Sequence, residues 1–498
     1  MNERLTAYRN GSVGVWGNGV GEYGRTGVWE NGVAEYGRTG VWENGVAECG
    51  RTGVWENGSA APPRPHTPTP PHPHTPSLSQ TALPGPDNIL RRTLPNGIIV
   101  LAKEAWSAPS VVIEGYLLAG NLDEPADLTG LASFTTGMLS RGTRRHSFTE
   151  INEMIESVGA SIGFGVDRQI VNFSTKSLVE DLDLVLGILA EELREPVFPA
   201  EHVEKVRGLR MTAIAEREND TRQMASLTFR ELMYGDHPWG RNLLGTRGTN
   251  AAIGCDALVQ FYETYFAPQE MVIAIVGAVE AEASVARVAA AFGDWRATRP
   301  LRPELPPVPG LNERRERRLL MPDKTQTDIV LGWPAMQRLA PDFDAARLAN
   351  TVLGVFGMMG RLGVNVRERN GMAYYAYSRL SADRRSGTWT AAAGVNPANV
   401  ERAIAAILDE IRRLCDEPVP AAELEDSKRY LTGSLPLQLE TNDGIASVLV
   451  DLEWQQLGLD YVGRYAGIIN SLTPADVQAA AQKYLDPGRF VLAVAGPG

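Results

Sequence analysis

The sequence predicts an α+β protein made of two homologous domains, each a mainly antiparallel sheet with helices packed on one face. Two observations support this fold class. Short segments of the first half recur in the second half in the same order, and the first half alternates strand-like and helix-like patterns. Two domains of this kind can face each other and enclose a cleft.

The internal duplication is the more informative observation. Three segments recur in the same order at offsets of 222, 223 and 219 residues, and such colinear matches are hard to obtain by chance. The pairs are EPVFPAE (195–201) with EPVPAAE (417–423), REND (217–220) with ETND (440–443), and YFAP…MVIAIVG (265–277) with YLDP…FVLAVAG (484–496). The chain therefore contains two copies of one α/β unit.

The first 88 residues differ in composition from the rest of the chain. Residues 1–58 contain 13-residue tandem repeats such as GVWENGVAEYGRT, which are too short and too glycine-rich to build a core, so we expect disorder. Residues 59–88 form a proline-rich linker of extended character. The two domains then span 89–298 and 313–498, joined by an interdomain linker at 299–312.

Local signals place the elements of the first domain in order. RRTLPNGIIVLAKE (91–104) predicts two strands around a Pro-Asn-Gly turn. Ser147 and Glu150 form a capping box, which predicts a helix start. The alternation in ASIGFGVDRQIVNFSTKS (160–177) predicts a hairpin, and the following helical pattern ends before Pro196.

Composition excludes several classes of function. A net charge of -12 argues against nucleic acid or anionic membrane as a partner. Cys49, Cys255 and Cys415 are distant from one another, so neither a disulfide framework nor a cysteine zinc site is expected. The sequence contains no apolar run long enough for a membrane span and no recognisable signal peptide, which favours the cytoplasm over export.

Five motifs resemble one family. They are LPNGIIVLAKE (94–104), GLASFTTGMLSRGT (130–143), YGDHPWGRNLLGT (234–246), VRERNGMAYYAYS (366–378) and LETNDGIA (439–446). In this order the chain resembles the insulinase/pitrilysin-type metallopeptidases, or inverted zincins, and among them the processing-peptidase-like branch. The resemblance covers about residues 89 to 498 and implies that the two domains form half of a clamshell.

The zinc motif of that family is replaced in this chain. Active members carry H-x-x-E-H on the helix after Gly-Leu-Ala, with two histidine ligands and a glutamate base, and a later glutamate completes the site. The resemblance places Ser133, Thr136 and Gly137 at the three motif positions and Glu216 at the third ligand. A lone carboxylate cannot hold catalytic zinc, so we expect a degenerate site without metal.

Neither a substitute metal site nor a serine nucleophile is predicted. His146, His202 and His237 form no pair at helical spacing, and a structural role is favoured for His237. Ser133 lacks the G-x-S-x-G context of a nucleophile elbow. We therefore predict no catalytic residue in this chain.

The second domain keeps a different part of the family's machinery. In that family, an arginine and a tyrosine seven residues apart reach across the cleft, and Arg367 and Tyr374 have this spacing. The resemblance implies that Arg367 binds substrate carbonyls and that Tyr374 supports the tetrahedral intermediate. From spacing alone, Arg367 could instead pair with Glu368 or Asp383, and Tyr374 could be a core residue.

The resemblance implies the non-catalytic, substrate-binding subunit of a heterodimeric zinc peptidase. The expected partner is a homologous chain with H-x-x-E-H that holds the zinc, and the expected substrate is unfolded peptide that pairs with a sheet edge. Two alternatives stay open, namely a structural core subunit and a homodimeric peptide-binding protein without proteolytic activity.

Overall fold

The computed structural model describes residues 83–355 and 360–497, so the predicted repeats and all but the end of the predicted proline-rich linker lie outside the described residues. Two sheets with packed helices confirm the predicted α+β class and its two halves. Among the described residues, no helix is long and apolar enough to cross a membrane.

The first half contains a six-stranded sheet with the order β1-β2-β6-β3-β5-β4. Its strands are β1 (Leu90–Thr93), β2 (Ile99–Glu104), β3 (Ser110–Leu117), β4 (Ser161–Val166), β5 (Val171–Leu178) and β6 (Val272–Gly277). Its helices are α1 (Leu131–Met138), α2 (Phe148–Ser157), α3 (Leu182–Arg194), α4 (Ala200–Glu218), α5 (Thr221–Tyr234), α6 (Arg247–Ala252), α7 (Cys255–Tyr265) and α8 (Ala281–Phe292).

The second half contains a five-stranded sheet with the order β7-β11-β8-β10-β9. Its strands are β7 (Arg315–Leu320), β8 (Thr327–Ala335), β9 (Ala373–Ala382), β10 (Gly387–Val395) and β11 (Val491–Gly496). Its helices are α9 (Phe343–Gly354), a π-helix (Gly363–Arg369), α10 (Val400–Asp416), α11 (Ala421–Gln438), α12 (Asn442–Gln455), α13 (Tyr461–Ser471) and α14 (Pro474–Tyr484).

The two sheets have the same topology, as the repeated segments predict. The order β2-β6-β3-β5-β4 corresponds position by position to β7-β11-β8-β10-β9, and β1 is an addition at one edge. In each sheet one pair of strands is parallel, β2 with β6 and β7 with β11, while the remaining pairs are antiparallel. The strands β4 and β9 are edges at equivalent places.

The local predictions in the first half are confirmed. The β1–β2 turn contains Gly97 with a positive φ of 92°, a conformation that glycine adopts without strain. Ser147 and Glu150 form the capping box of α2, with the Ser147 hydroxyl accepting a hydrogen bond from the Glu150 backbone. The β4–β5 hairpin is present, and α3 ends at Arg194, before Pro196.

Each sheet is also covered on its second face, which the sequence does not predict. The second half's helix α12 packs on β3 and β6 of the first sheet, with the rings of Tyr116 and Trp454 5.2 Å apart. The first half's helix α5 packs on β8 and β11 of the second sheet, where Phe229 lies among buried residues such as Val330 and Ala493. Each half therefore contributes one helix that covers the sheet of the other half, and α5 and α12 are called the exchanged helices below.

Polar contacts further join the two halves. Gln169, in the β4–β5 turn, donates a hydrogen bond of 2.9 Å to the buried carboxylate of Asp383, in the β9–β10 turn. Residues 299–312 contain neither helix nor strand, but Arg302 lies 2.5 Å from the carboxylate of Asp123, which is itself buried. The connection between the halves is thus anchored on the first half.

Candidate functional site

The helix α1, which carries the positions that the resemblance assigns to the zinc motif, begins at a buried carboxylate. Gly130, with a φ of 96°, precedes the helix. The backbone N–H groups of Gly130 and Ala132 donate to Glu124 at 3.0 and 2.7 Å, satisfying donors that a helix start leaves free. Burial raises the pKa of Glu124 to about 8, against the lowering effect of these hydrogen bonds.

The hydroxyl groups at the motif positions bind backbone oxygens. Ser133 Oγ lies 2.6 Å from the carbonyl oxygen of Leu243 and 3.1 Å from that of Gly130. Thr136 Oγ1 donates to the carbonyl of Ala132 at 2.8 Å, and its side chain is buried. Neither arrangement presents a hydroxyl to a base or to a metal ion.

Val206 and Arg210 of the neighbouring helix α4 lie next to α1. A side chain added at the exposed Gly137 would lie 3.8 Å from Val206 on α4, which is ordinary van der Waals contact. One turn further along α4, Arg210 donates to the carbonyl of Gly130 at 2.9 Å and is buried. The Glu216 side chain is exposed near the end of α4.

The donor set does not fit a zinc ion. These positions offer neither imidazole nor thiolate ligands. They contain serine and threonine hydroxyls that are already hydrogen-bonded, a glycine, a valine and a buried guanidinium. Among residues 83–355 and 360–497, no three His, Cys, Asp or Glu side chains are close enough to hold a metal ion. We therefore derive no chemical step through zinc in this chain.

The histidines of the described part have other contacts. His237 Nε2 lies 2.9 Å from the carbonyl of Pro306, and its Nδ1 accepts a hydrogen bond from the Trp239 backbone, which is the structural role predicted for it. His146 Nδ1 lies 2.8 Å from Glu191, and the ring of His202 packs 5.1 Å from that of Phe148.

Arg367 and Tyr374 lie on consecutive elements of the second half. Arg367 is half-buried on the π-helix, and Tyr374 is the second residue of the edge strand β9, with 66% of its surface exposed. The backbone N–H of Gly371 donates to the carbonyl of Arg367 at 3.0 Å, so a tight turn connects the two elements. Tyr374 is thus accessible and is not a core residue.

A buried polar network lies next to Tyr374, on the other face of β9. The hydroxyl of Tyr375 donates to Asp328 on β8, and Thr221 at the start of α5 donates to the same carboxylate at 2.5 Å. The guanidinium of Arg222 lies 4.7 Å from the centre of the Tyr375 ring. Burial raises the pKa of Tyr375, and the negative charge of Asp328 raises it further.

This network is not evident from the sequence. The alternation in AYYAY predicts that Tyr374 and Tyr375 point to opposite faces of a strand, but it does not indicate that α5, from the other half, covers one of them. The network fixes the start of β9, and therefore the backbone that carries Tyr374.

Comparisons with known proteins identify the family. The model of the insulinase family, peptidase family M16, matches residues 99–247, and that of the peptidase M16 inactive domain matches residues 253–431. An uncharacterized zinc protease of Streptomyces coelicolor is 30% identical over 420 residues, covering 83% of this chain and 90% of that protein.

Two further comparisons concern proteins named as inactive. The crystal structure of a peptidase M16 inactive domain from Pseudomonas fluorescens superposes with a TM-score of 0.77 at 25% identity, covering 82% of this chain and 98% of that one. A non-peptidase homologue of Helicobacter pylori is 23% identical over 323 residues, covering 65% of this chain and 74% of that protein. The chain therefore belongs to the insulinase family, peptidase family M16, and is of the non-catalytic type.

Proposed function

We propose that this chain is the substrate-binding, non-catalytic subunit of a heterodimeric zinc peptidase. One observation carries the proposal. The zinc-motif positions hold Ser133, Thr136 and Gly137, whereas Arg367 and Tyr374 keep the spacing of the substrate-binding pair and Tyr374 is exposed. A chain that served only as a scaffold has no use for such a pair.

The partner would be a homologous chain whose H-x-x-E-H residues hold zinc, and that zinc would supply an activated water for hydrolysis of the peptide bond. Arg367 contributes a permanent cation with a planar set of donors, which suits the carbonyl oxygens of an extended peptide. Tyr374 contributes a hydroxyl that donates to the developing oxyanion. The two residues thereby complete in trans an active site to which this chain adds no metal ligand.

The substrate is unfolded peptide bound in an extended conformation. The edge strands β4 and β9 leave backbone N–H and C=O groups on one side without a partner strand, and an extended peptide can pair with such an edge. Because backbone pairing is independent of sequence, we expect selectivity to depend mainly on whether the peptide is unfolded.

The test is a peptidase assay with zinc analysis, on this chain alone and mixed with a homologous chain that carries H-x-x-E-H. We expect activity only in the mixture. There, Arg367→Ala or Tyr374→Phe lowers kcat by about 10²–10³-fold, the usual effect of removing one transition-state donor. Arg369→Ala, at an exposed arginine two residues further on, is the matched control and changes kcat little.

Three outcomes contradict the proposal in different ways. Zinc-dependent activity of this chain alone means that a metal site exists after all. Peptide binding with no activity in any mixture favours a homodimeric peptide-binding protein. Absence of both activity and peptide binding, together with a stable larger complex, favours a structural core subunit.

A further inference from the structure

The π-helix Gly363–Arg369 determines where Arg367 lies. π-helices are rare and are frequently found at functional sites. The end of this one is bonded to the chain leading into β9, since Gly371 N–H donates to the carbonyl of Arg367 and Met372 N–H to that of Val366, at 3.0 and 3.1 Å. The orientation of the π-helix therefore sets the position of Arg367 relative to Tyr374.

The side chain of Asn365 links the π-helix to α10 in the second half. Asn365 Nδ2 donates to Glu410 Oε1 on α10 at 2.6 Å, and Asn365 Oδ1 accepts from Asn370 Nδ2 at 2.7 Å. Glu410 is 3% exposed and also accepts from Arg413 at 3.1 Å. A buried carboxylate thus holds Asn365, and Asn365 holds the end of the π-helix.

A groove borders this side of the π-helix. It has a volume of about 530 Å³, is open to solvent, and is lined by Val364, Asn365, Glu410 and Arg413 between the π-helix, α9, α10 and α11. The Asn365 side chain is therefore not enclosed by packing, and its hydrogen bond to Glu410 is a direct contact that orients it.

We propose that Asn365 and Glu410 are positioning residues that hold Arg367 in its peptide-binding orientation. The inference rests on the proposed function, because it takes Arg367 as a group that binds peptide. Asn365 and Glu410 themselves touch no substrate in this proposal, and they act only through the π-helix.

The test measures the Kd of the full chain for a fluorescent unstructured peptide at pH 7. Asn365→Ala weakens binding about tenfold, the effect of losing one hydrogen bond to a charged group. Asn365→Asp weakens it further, because a second carboxylate then faces Glu410. Glu192→Gln, at a buried carboxyl group on α3 in the other half, is the control and leaves the Kd unchanged.

A double-mutant cycle shows whether Asn365 acts through Arg367. In an Arg367→Ala background, Asn365→Ala should weaken binding no further. An equal tenfold loss in both backgrounds overturns the inference, because it shows a role that does not pass through Arg367. Circular dichroism and the thermal midpoint of each variant identify any that fail to fold.

A second readout separates this inference from the proposed function. If Arg367→Ala alone leaves the Kd unchanged, the peptide-binding role of Arg367 is wrong. Hydrogen exchange of the Gly371 and Met372 amides then decides whether Asn365 holds the π-helix. Faster exchange in Asn365→Ala supports that holding role, and unchanged exchange overturns it.

Discussion

Ser133 and Thr136, which lie at the positions that the resemblance assigns to the zinc motif, have hydroxyl groups that bond to the backbone. Both hydroxyls donate to backbone carbonyl oxygens, and Thr136 is buried. A hydroxyl in this arrangement is neither activated as a nucleophile nor free to bind a metal ion. Both residues thus bond to the backbone of the fold.

This arrangement predicts a small effect of Ser133→Ala. The variant should lower the free energy of unfolding by about 1 kcal/mol, the usual contribution of one hydrogen bond, and leave the activity of the two-chain mixture unchanged. Urea unfolding and the peptidase assay measure the two effects. Thr136→Val, which removes the other hydroxyl, is the control. A large loss of activity in the Ser133→Ala mixture but not in the Thr136→Val mixture would indicate that Ser133 is a nucleophile.

A second prediction at this scale concerns pH. Glu192 is 1% exposed, and burial raises its pKa from 4.5 to about 8, with a smaller contribution from the charge of Glu191. The folded state therefore binds a proton that the unfolded state releases between about pH 4.5 and 8. Its contribution to stability is full below that window and is lost as the pH rises through it.

Glu192→Gln cannot ionise and should remove this part of the pH dependence. Between pH 5.5 and 8.5 the natural protein should lose roughly 2–4 kcal/mol more unfolding free energy than the variant. Urea unfolding at the two pH values measures this difference. Parallel pH profiles of the two proteins would show that Glu192 is ionised in the folded state throughout.

At the scale of elements, the exchanged helices α5 and α12 determine how the halves fit together. Phe229 on α5 is 6% exposed and packs against the second sheet, and Gly332 on β8 allows the close approach, since a Cβ there would lie 3.0 Å from the Phe229 ring. The same helix begins at Thr221, which hydrogen-bonds to Asp328. Its position thus supports both the sheet and the strand that carries Tyr374.

Phe229→Ala should lower the free energy of unfolding by about 3–5 kcal/mol, because it leaves a cavity between α5 and the second sheet. Amide exchange in β8 and β11 should accelerate. Glu231→Ala, at an exposed residue of the same helix, should cost less than about 1 kcal/mol, since its ion pair with Arg317 is exposed. Similar losses in the two variants would mean that α5 is not a structural link.

At the scale of the whole molecule, neither half encloses its own core. Without α12, the first sheet would expose a face that includes Leu101, Val112 and Val276, and without α5 the second sheet would expose Val330 and Ala493. Apolar faces of this size favour aggregation when they are uncovered. The chain should therefore unfold as one cooperative unit, although it is a duplication.

This dependence can be tested by cutting the chain at Gly310, in the connection between the halves. Fragments 83–310 and 311–498 should each aggregate or stay partly unfolded when expressed alone, and should form a stable 1:1 complex when expressed together. Size-exclusion chromatography and circular dichroism measure both states, with the uncut chain as reference. Two stable monomeric fragments would contradict the role of the exchanged helices.

The sequence by itself determined the family, the duplication and the class of each half. Local signals can be interpreted without knowledge of the fold. They include repeated segments such as EPVFPAE and EPVPAAE, the capping box at Ser147 and the alternation in β4 and β5. The spacing of Arg367 and Tyr374 could likewise be read from the sequence, while their role remains a proposal.

Only the tertiary structure decided which surfaces meet. These contacts join residues at least 45 positions apart in the sequence. They are the packing of α12 on the first sheet, the contact of Asp328 with Tyr375 and Thr221, and the bond from Asn365 to Glu410. No periodicity within one segment encodes such a pairing, because it depends on two faces that become neighbours after folding. The overall fold was therefore predictable from the sequence, whereas the long-range contacts that hold the candidate site were not.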